Sequence, residues 1–300
     1  MGKLIDCFTF YNNFDVLKIR LAELAPYMDH FVLVECTHTF SGKPKPLYFK
    51  ENPITGYKIN HVITEPRYNY EVDEELAMRN TEQQVRGYAE GTKDLNDTDI
   101  LFLSDVDEIP RPSRLRELAL DEPAIFDQMW YLYYLNVKTA WPQFGTARVP
   151  FSMAKNDFWA AAMYRWNPNM NIIRDGGWHF SYFGGLEAIR EKISGVPDVN
   201  LRNTQEDIEG AMLAGVGLEA FQGPVSMCSI DDTYPNTILK DLDSYQHLMH
   251  PNYRNPKEKQ EFFELLEQKR QRRLLVPREI EQQRHKARMG EDPIYQKEYS

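Results

Sequence analysis

The sequence predicts an α/β protein whose single large domain is built on a mostly parallel central sheet. Two observations predict this class. Short, nearly uncharged stretches alternate with helical stretches through the first third of the 300 residues. The most apolar stretch, Ile100 to Leu103, runs directly into acidic residues, and sheets of this class bind ligands beyond the carboxyl ends of their strands.

The first part of the chain contains four predicted strands and two predicted helices. The strands are "LIDCFTFY" from residue 4, "HFVLVEC" from residue 30, "INHVITEP" from residue 59 and "DILFLSDVDEIP" from residue 99. After the first strand, Leu17, Leu21 and Leu24 recur at helical spacing, and Asp15 is the predicted N-cap. A second helix is predicted over 74–91, with Gly91 as its C-cap.

The pattern changes after Pro112. We expect a short helix at "SRLREL", one or two aromatic-rich strands in "QMWYLYYLNVKTAW", a loop at "DGGWHFSYFGG" and a helix at "LEAIREKI". Residues 195–235 are poorly patterned, and residues 257–289 are helical and charged. The sequence contains neither an internal repeat nor a flexible linker. We therefore predict one domain, residues 1–255, and a charged helical C-terminal extension, residues 256–300.

Composition limits the partners. The formal net charge of −10 gives no basic surface bias toward nucleic acid, so we expect the protein to bind a divalent cation rather than a nucleic-acid backbone. The three cysteines are widely spaced, which argues against a disulfide framework or a zinc site. We see neither a signal peptide nor a membrane span and expect a cytoplasmic protein, with contact of the basic tail to an acidic membrane as the weaker alternative.

The stretch "SDVDEIP" predicts a metal site. Asp105 and Asp107 follow a buried strand, and in an extended chain residues two apart face the same way. Two carboxylates on one side need a cation, and a hard divalent ion prefers oxygen ligands. Such a site leaves positions open for a phosphate, so the pair indicates a nucleoside diphosphate held through a metal ion. The alternative is a solvated turn.

Other phosphate-binding and hydrolytic signatures are absent from the sequence. It contains neither a Gly-x-x-x-x-Gly-Lys loop, nor Gly-x-Gly-x-x-Gly after the first strand, nor a Gly-x-Ser-x-Gly elbow. A sugar nucleotide is therefore the most natural donor. Two other functions stay open: a metal-dependent nucleotidyltransferase, which usually needs a basic, Gly-rich loop where this chain has "FYNNFD", and a non-catalytic glycan-binding module, which has no need of the paired carboxylates.

Five ordered blocks resemble glycosyltransferase family 17, the family of the bisecting β-1,4-N-acetylglucosaminyltransferase. They are "CFTFYNNFDVLKIRLAEL", "FVLVECTHTFSGKPKPLYF", "SDVDEIP", "GGWHFSYFGGLEAI" and "YPNTILKDLDSYQHLMHPNYR", and they span roughly residues 4–255. The resemblance implies a GT-A-type, Rossmann-like domain, a nucleotide-sugar donor such as UDP-GlcNAc, a glycan acceptor, Mn²⁺ or Mg²⁺, and inversion at the anomeric carbon. Animal members carry a membrane anchor and this chain shows none, so it looks like a bacterial or viral relative. Asn13 departs from the acidic residue expected there.

The resemblance also implies roles for single residues. Asp105, Asp107 and His179 are the predicted metal ligands, and Asp105 and His179 also contact the donor. Glu35, at the end of the second strand, is predicted to contact the nucleoside. Arg79, beside Asn80, is predicted to pair with the diphosphate, the alternative being a helix ion pair with Glu75.

Three further positions have open roles. Glu108 is either a support for the metal ligands or a charge at a helix start. Trp178 either stacks on a sugar or fills the core. For the general base that an inverting transferase needs, Glu187 is the first candidate and Asp175 the second.

Overall fold

The structure, a computed structural model, describes residues 2–167, 169–195, 208, 211, 212, 217 and 225–250. Its strands are β1 (Leu4–Phe10), β2 (His30–Cys36), β3 (Ile59–Thr64), β4 (Ile100–Asp105), β5 (Glu108–Pro110), β6 (Ala124–Leu132), β7 (Val137–Thr139), β8 (Gln143–Pro150), β9 (Asn171–Ser181) and β10 (Val225–Met227). Its α-helices are α1 (Phe14–Leu24), α2 (Tyr48–Glu51), α3 (Glu74–Arg86), α4 (Tyr88–Gly91), α5 (Phe151–Ala154), α6 (Phe158–Met163), α7 (Gly185–Ser194) and α8 (Asn236–Lys240). Short 3-10 helices cover Pro112–Arg114, Tyr164–Trp166 and Leu242–Leu248.

One mixed sheet forms the centre, in the order β10-β7-β6-β8-β4-β1-β2-β3, with β9 paired to β6 and β5 paired to β9. The neighbours β3, β2, β1 and β4 are parallel, which confirms the predicted α/β class and its four leading strands. β8 is antiparallel to both β4 and β6, so β6 runs in the same direction as β4, and β9 is parallel to β6. The carboxyl ends of β1, β2, β4, β6 and β9 therefore meet at one edge, called the carboxyl edge below.

Apolar layers cover both faces of the parallel strands. Leu4 and Phe8 of β1 pack with the leucine stripe of α1, whereas Ile5 and Cys7 alternate onto the other face, against α3, α4 and α6. A third cluster surrounds Ile189 of α7. Because both faces of β1 and β4 are buried, the sheet holds the carboxyl edge on a rigid base.

β9 corrects one prediction. The stretch "DGGWHFSYFGG" was expected to be a loop, but Asp175 to Ser181 lie in a strand paired with both β5 and β6. Gly177 explains the glycine content: its φ is +143°, and a Cβ there would lie 2.1 Å from the Ile109 carbonyl oxygen. The glycine thus allows close approach of two backbones, not a flexible loop.

Two predicted helix boundaries are also wrong. α1 is capped by Asn13, whose side chain accepts the Val16 N–H, so Asp15 lies inside the first turn. The helix predicted over 74–91 breaks at Gly87, where a Cβ would lie 2.6 Å from the Thr64 side chain. The missing side chain lets the chain pack closely on the sheet at this break, and α4 continues after it.

Later elements agree in part with the sequence. The predicted helix at "SRLREL" is only the 3-10 turn Pro112–Arg114, whereas the predicted helix at "LEAIREKI" is α7. The aromatic stretch forms β6 and β7, as expected. The extension 256–300 and most of 195–235 lie outside the described residues. Within the described part, no helix is long and apolar enough to cross a bilayer.

Candidate donor and metal site

The acidic turn between β4 and β5 lies at the carboxyl edge. Asp105 ends β4 and Glu108 begins β5, so Val106 and Asp107 form a turn rather than the extended run assumed from the sequence. Thr9, at the end of β1, donates to the Asp105 carboxylate at 2.9 Å. The Asp105 side chain is 46% exposed, so its carboxylate is open to a ligand.

Arg20 of α1 binds the backbone of this turn from the protein interior. Its guanidinium donates to the carbonyl oxygens of Asp105, Val106 and Glu108 at 2.9, 3.2 and 2.8 Å. The same group binds both carboxylate oxygens of Asp6 at 2.8 and 2.6 Å, and both side chains are fully buried. A buried ion pair thus fixes the backbone that presents Asp105 and Asp107.

His179 reaches the turn through strand pairing. It is opposite Glu108 in the β5–β9 register, and its Nε2 lies 3.7 Å from the Asp107 carboxylate. Its ring stacks on Trp130 with centroids 4.9 Å apart, and its buried Nδ1 has no hydrogen-bond partner among the described residues. Burial lowers the pKa of His179 to about 4, against the opposing charge of Asp107, so the imidazole is neutral at pH 7.

Lys192 of α7 is the second neighbour of Asp107. Its Nζ lies 2.8 Å from a carboxylate oxygen, and the Asp107 side chain is only 6% exposed. Burial opposes ionisation of Asp107, but the charge of Lys192, followed by that of His179, lowers its pKa below the usual value. Because His179 is neutral at pH 7, Lys192 is the charged neighbour of Asp107 at that pH.

Arg165 joins the other two carboxylates. Its guanidinium lies 3.3 Å from Asp105 and 2.9 Å from Glu108. The Glu108 side chain also accepts the backbone N–H of Asp105 at 3.0 Å. Burial raises the pKa of Glu108 to about 7, although Arg165 opposes the shift. Glu108 begins a strand, so its predicted role as a charge at a helix start is wrong. Its contacts hold the turn, and its role as a support for metal ligands stays a prediction.

A polar cluster lies beside the turn, between α7 and the ends of β1 and β2. Glu191 accepts hydrogen bonds from Asn12 at 2.7 Å, from Tyr48 and, at 3.5 Å, from Tyr11. The ammonium of Lys45 lies over the rings of Tyr11 and Tyr48, at 5.3 and 5.2 Å from their centroids. Two adjacent residues of α7 thus contact different groups at the carboxyl edge: Glu191 contacts this polar cluster, and Lys192 contacts Asp107 in the acidic turn.

Glu35 lies beneath this cluster. Its side chain is fully buried, accepts the backbone N–H groups of Phe49 and Lys50 at 3.0 and 3.4 Å, and lies 3.7 Å from Lys45 and 3.0 Å from His61. These contacts anchor α2 and Lys45. The predicted contact of Glu35 with a nucleoside is not supported by this placement, because its oxygens face the protein interior.

Arg79 is not brought to the site. Its side chain is 53% exposed and pairs with Glu82 at 3.1 Å, one turn later and not with Glu75. Asn80, in contrast, is buried and binds the backbone of Phe40 and Tyr68. The predicted pairing of Arg79 with a diphosphate therefore lacks structural support, and Arg165 is the arginine that the structure places beside the carboxylates.

Asp175 pairs outside the metal turn, with Arg111 at 2.8 Å and with Arg114 at 3.8 Å. It lies in an irregular part of β9, where its φ is +49° and the register with β6 shifts. Trp178 is 2% exposed and donates to the Thr233 carbonyl at 2.9 Å, which favours its core role.

Glu187, in the first turn of α7, has an 86% exposed side chain 3.4 Å from Arg190. It precedes Lys192 by five residues, about 7.5 Å along the helix axis. The two side chains also point about 140° apart around the helix axis. Glu187 therefore does not share the face of α7 that contacts the metal turn, and its role as the base stays a prediction.

The donor set fits a metal ion that shares its shell with a substrate. Among the described residues, no three His, Cys, Asp or Glu side chains are grouped so as to hold an ion alone. Asp105 and Asp107 supply hard oxygen ligands, and the neutral His179 lies beside Asp107. Substrate oxygens and water would complete such a shell, as they commonly do around Mg²⁺.

Three site residues were missed by the sequence analysis. Arg20 had a signal, since it interrupts the apolar stripe of α1 and Asp6 is the one charge in β1, and two such residues at buried positions need each other. Arg165 and Lys192 had none. They lie 60 and 85 residues from their partners Asp105 and Asp107, so only the fold brings them together.

Together these features define an α/β protein with an acidic turn, contacted by arginine and lysine side chains, at the carboxyl edge of its sheet. Comparison with known proteins gives the family: the profile of "Glycosyltransferase family 17" matches residues 1–196. The chain belongs to glycosyltransferase family 17.

Relatives in mammals carry the name beta-1,4-mannosyl-glycoprotein 4-beta-N-acetylglucosaminyltransferase. The protein of Rattus norvegicus is 22% identical over 85% of this chain and 56% of its own length, and that of Homo sapiens is 27% identical over 49% and 29%. The chain thus spans little more than half the length of the rat relative. A solved galactosyltransferase, LgtC with donor and acceptor sugar analogues, aligns over 85% of this chain at 10% identity with a TM-score of 0.31.

Proposed function

We propose that this protein is a metal-dependent, inverting glycosyltransferase that moves N-acetylglucosamine from UDP-GlcNAc to a hydroxyl group of a glycan. The observation that carries the proposal is the turn holding Asp105 and Asp107 at the carboxyl edge, fixed from below by Arg20. Family membership supports glycosyl transfer. The choice of N-acetylglucosamine rests on the names of the mammalian relatives.

Asp105, Asp107 and His179 are the residues that would hold Mn²⁺ or Mg²⁺. When bound there, the metal neutralises charge on the diphosphate leaving group. The protein contributes a preformed site. Thr9 and Arg165 orient the Asp105 carboxylate, and burial keeps the His179 imidazole neutral, so that one of its ring nitrogens can bind a metal ion. Such fixed groups need little rearrangement as charge develops.

The acceptor enters from the solvent side of the same edge. In the inverting reaction, the acceptor hydroxyl gives its proton to a base, its oxygen bonds to the anomeric carbon, and the bond to the diphosphate breaks with its electrons. Glu187 is our candidate base because it is open to solvent and lies on the helix that carries Lys192. Asp175, paired to two arginines, is the weaker candidate.

Trp166 supplies a candidate surface for the acceptor sugar. It is 62% exposed and adjoins Arg165, whose guanidinium contacts Asp105 and lies 5.5 Å from the indole centroid. The electron-rich face of an indole suits the C–H groups of a sugar ring. An exposed tryptophan next to Arg165 therefore offers a stacking surface for a sugar ring of the acceptor.

Calorimetry with UDP tests the metal site. We expect UDP to bind in the presence of Mn²⁺ and to lose that affinity in EDTA or in Asp107→Asn. The matched control is Asp97→Asn, since Asp97 is an exposed carboxylate that precedes β4 at the opposite edge of the sheet. Equal UDP affinity in EDTA and in Mn²⁺ contradicts the metal-dependent site.

A further inference from the structure

Lys192 contacts Asp107, one of the carboxylates that would hold the metal ion in the proposed function. Its ammonium lies 2.8 Å from Asp107, which is almost fully buried, while the lysine side chain itself is 40% exposed. A divalent cation on Asp107 repels an ammonium at that distance. The ammonium also lies 5.1 Å from the centroid of the Tyr182 ring, which carries no charge to replace that of Asp107. The donor's diphosphate is the anion that arrives with the metal.

The helix can stay in place during such an exchange. Glu191, the neighbouring residue, is bound to Asn12 and Tyr48, and the backbone of Ser41 donates to the Gly195 carbonyl at 3.0 Å. These contacts fix α7 against the ends of β1 and β2. The four-carbon side chain of Lys192 can therefore change its partner by rotating about its own bonds, without movement of the backbone.

Arg165 differs from Lys192 in its surroundings. Its side chain is 12% exposed and contacts two carboxylates, Asp105 and Glu108, so it keeps a partner when one of them binds a metal ion. Lys192 has the more exposed side chain of the two and a more flexible stem. The exchange thus falls to Lys192.

We propose that Lys192 is a donor-binding residue that exchanges partners: it neutralises Asp107 in the donor-free protein and binds the diphosphate of the donor when a metal ion takes Asp107. This inference rests on the proposed function and assigns to Lys192 a role in recognising a nucleoside diphosphate. No covalent step is involved. The exchange makes binding depend on the diphosphate rather than on the nucleoside.

Calorimetry with UDP, UMP and uridine, each with Mn²⁺, tests the exchange in wild type and Lys192→Met. We expect the variant to lose affinity for UDP by about 10- to 100-fold, the effect of one charge-assisted hydrogen bond, to lose less for UMP, and to bind uridine as wild type does. Lys155→Met is the matched control, because Lys155 is also 40% exposed and ion-paired, to Asp97.

A second measurement separates the exchange from a structural role. Without nucleotide, Mn²⁺ titrated by electron paramagnetic resonance should bind Lys192→Met at least as tightly as wild type, because the competing ammonium is gone. Wild-type affinity of the variant for UDP overturns the proposal, as does an equal loss for UDP and uridine, or weaker Mn²⁺ binding. A wild-type protein that binds no UDP with Mn²⁺ overturns the proposed function as well.

Discussion

Arg20 offers a sharp test of how the acidic turn is held. Replacing Arg20 by methionine removes every guanidinium hydrogen bond to the turn and leaves Asp6 as a buried charge without its partner. Breaking a fully buried pair costs about 3–5 kcal/mol of unfolding free energy. We expect urea denaturation of Arg20→Met to show a loss of that size, and calorimetry to show that the folded variant no longer binds UDP with Mn²⁺.

A double variant separates the two effects. Arg20→Met combined with Asp6→Leu removes the unpaired charge, and an apolar pair in place of a buried ion pair is often neutral or stabilising. We expect most of the lost stability to return while UDP binding stays weak, since the carbonyl oxygens of the turn still lack their donor. Wild-type UDP affinity in the folded double variant would refute the reasoning.

Arg148 provides the matched control. It is also buried, and its guanidinium donates to the carbonyl oxygens of Leu115, Glu117, Ala119 and Glu122, in a loop outside the site. Arg148→Met should lower the unfolding free energy yet leave the UDP affinity of the folded protein unchanged. If both arginine variants lose UDP binding equally, the effect reflects general destabilisation.

Three further predictions concern β9, the base and the acceptor. Gly177→Ala should disturb the β5–β9 pairing that places His179, because the added Cβ would lie 2.1 Å from a carbonyl oxygen. Both the Tm and the UDP affinity should fall. An unchanged UDP affinity would show that the pairing does not matter for the site. Glu187→Gln should keep UDP affinity and lower the transfer rate by about 10²–10⁴, and a near wild-type rate would exclude Glu187 as the base. Trp166→Ala should raise the KM for the acceptor and leave the KM for donor hydrolysis unchanged, unlike Tyr27→Ala, an exposed aromatic residue that precedes β2 at the opposite edge of the sheet.

The parallel strands could be predicted because their signals are local. β1, β2 and β4 are short, mostly apolar runs, whereas β3 also contains Asn60, His61 and Thr64. Both faces of β1 and β4 are covered by helices or loops that pack on them. Asp105 and Asp107 follow such a run, so their place at the carboxyl edge was readable from the sequence. β9 was not, because Gly176 and Gly177 mark a loop in most sequences and here serve a close approach of strands.

The charges around the site could not be predicted from the sequence. Glu35 ends β2 as expected, but a carboxylate at a strand end can face a ligand or the interior, and only the position of α2 decides. Nothing in the sequence distinguishes Arg79 from an arginine on the solvent side of a helix, and its exposure depends on how α3 packs on the sheet. Lys192 and Arg165 reach the carboxylates through long-range packing, which a linear pattern does not encode.

Donor turnover tests the central claim most directly. The protein is incubated with Mn²⁺ and a panel of nucleotide sugars, and the slow hydrolysis of each is followed by release of the nucleotide, with Asp107→Asn as the inactive control. We predict release of UDP from UDP-GlcNAc that is faster than release from the other donors, that stops in EDTA and that is absent from the variant. Hydrolysis of no nucleotide sugar, or equal hydrolysis by wild type and Asp107→Asn, would contradict a metal-dependent glycosyltransferase site at the acidic turn.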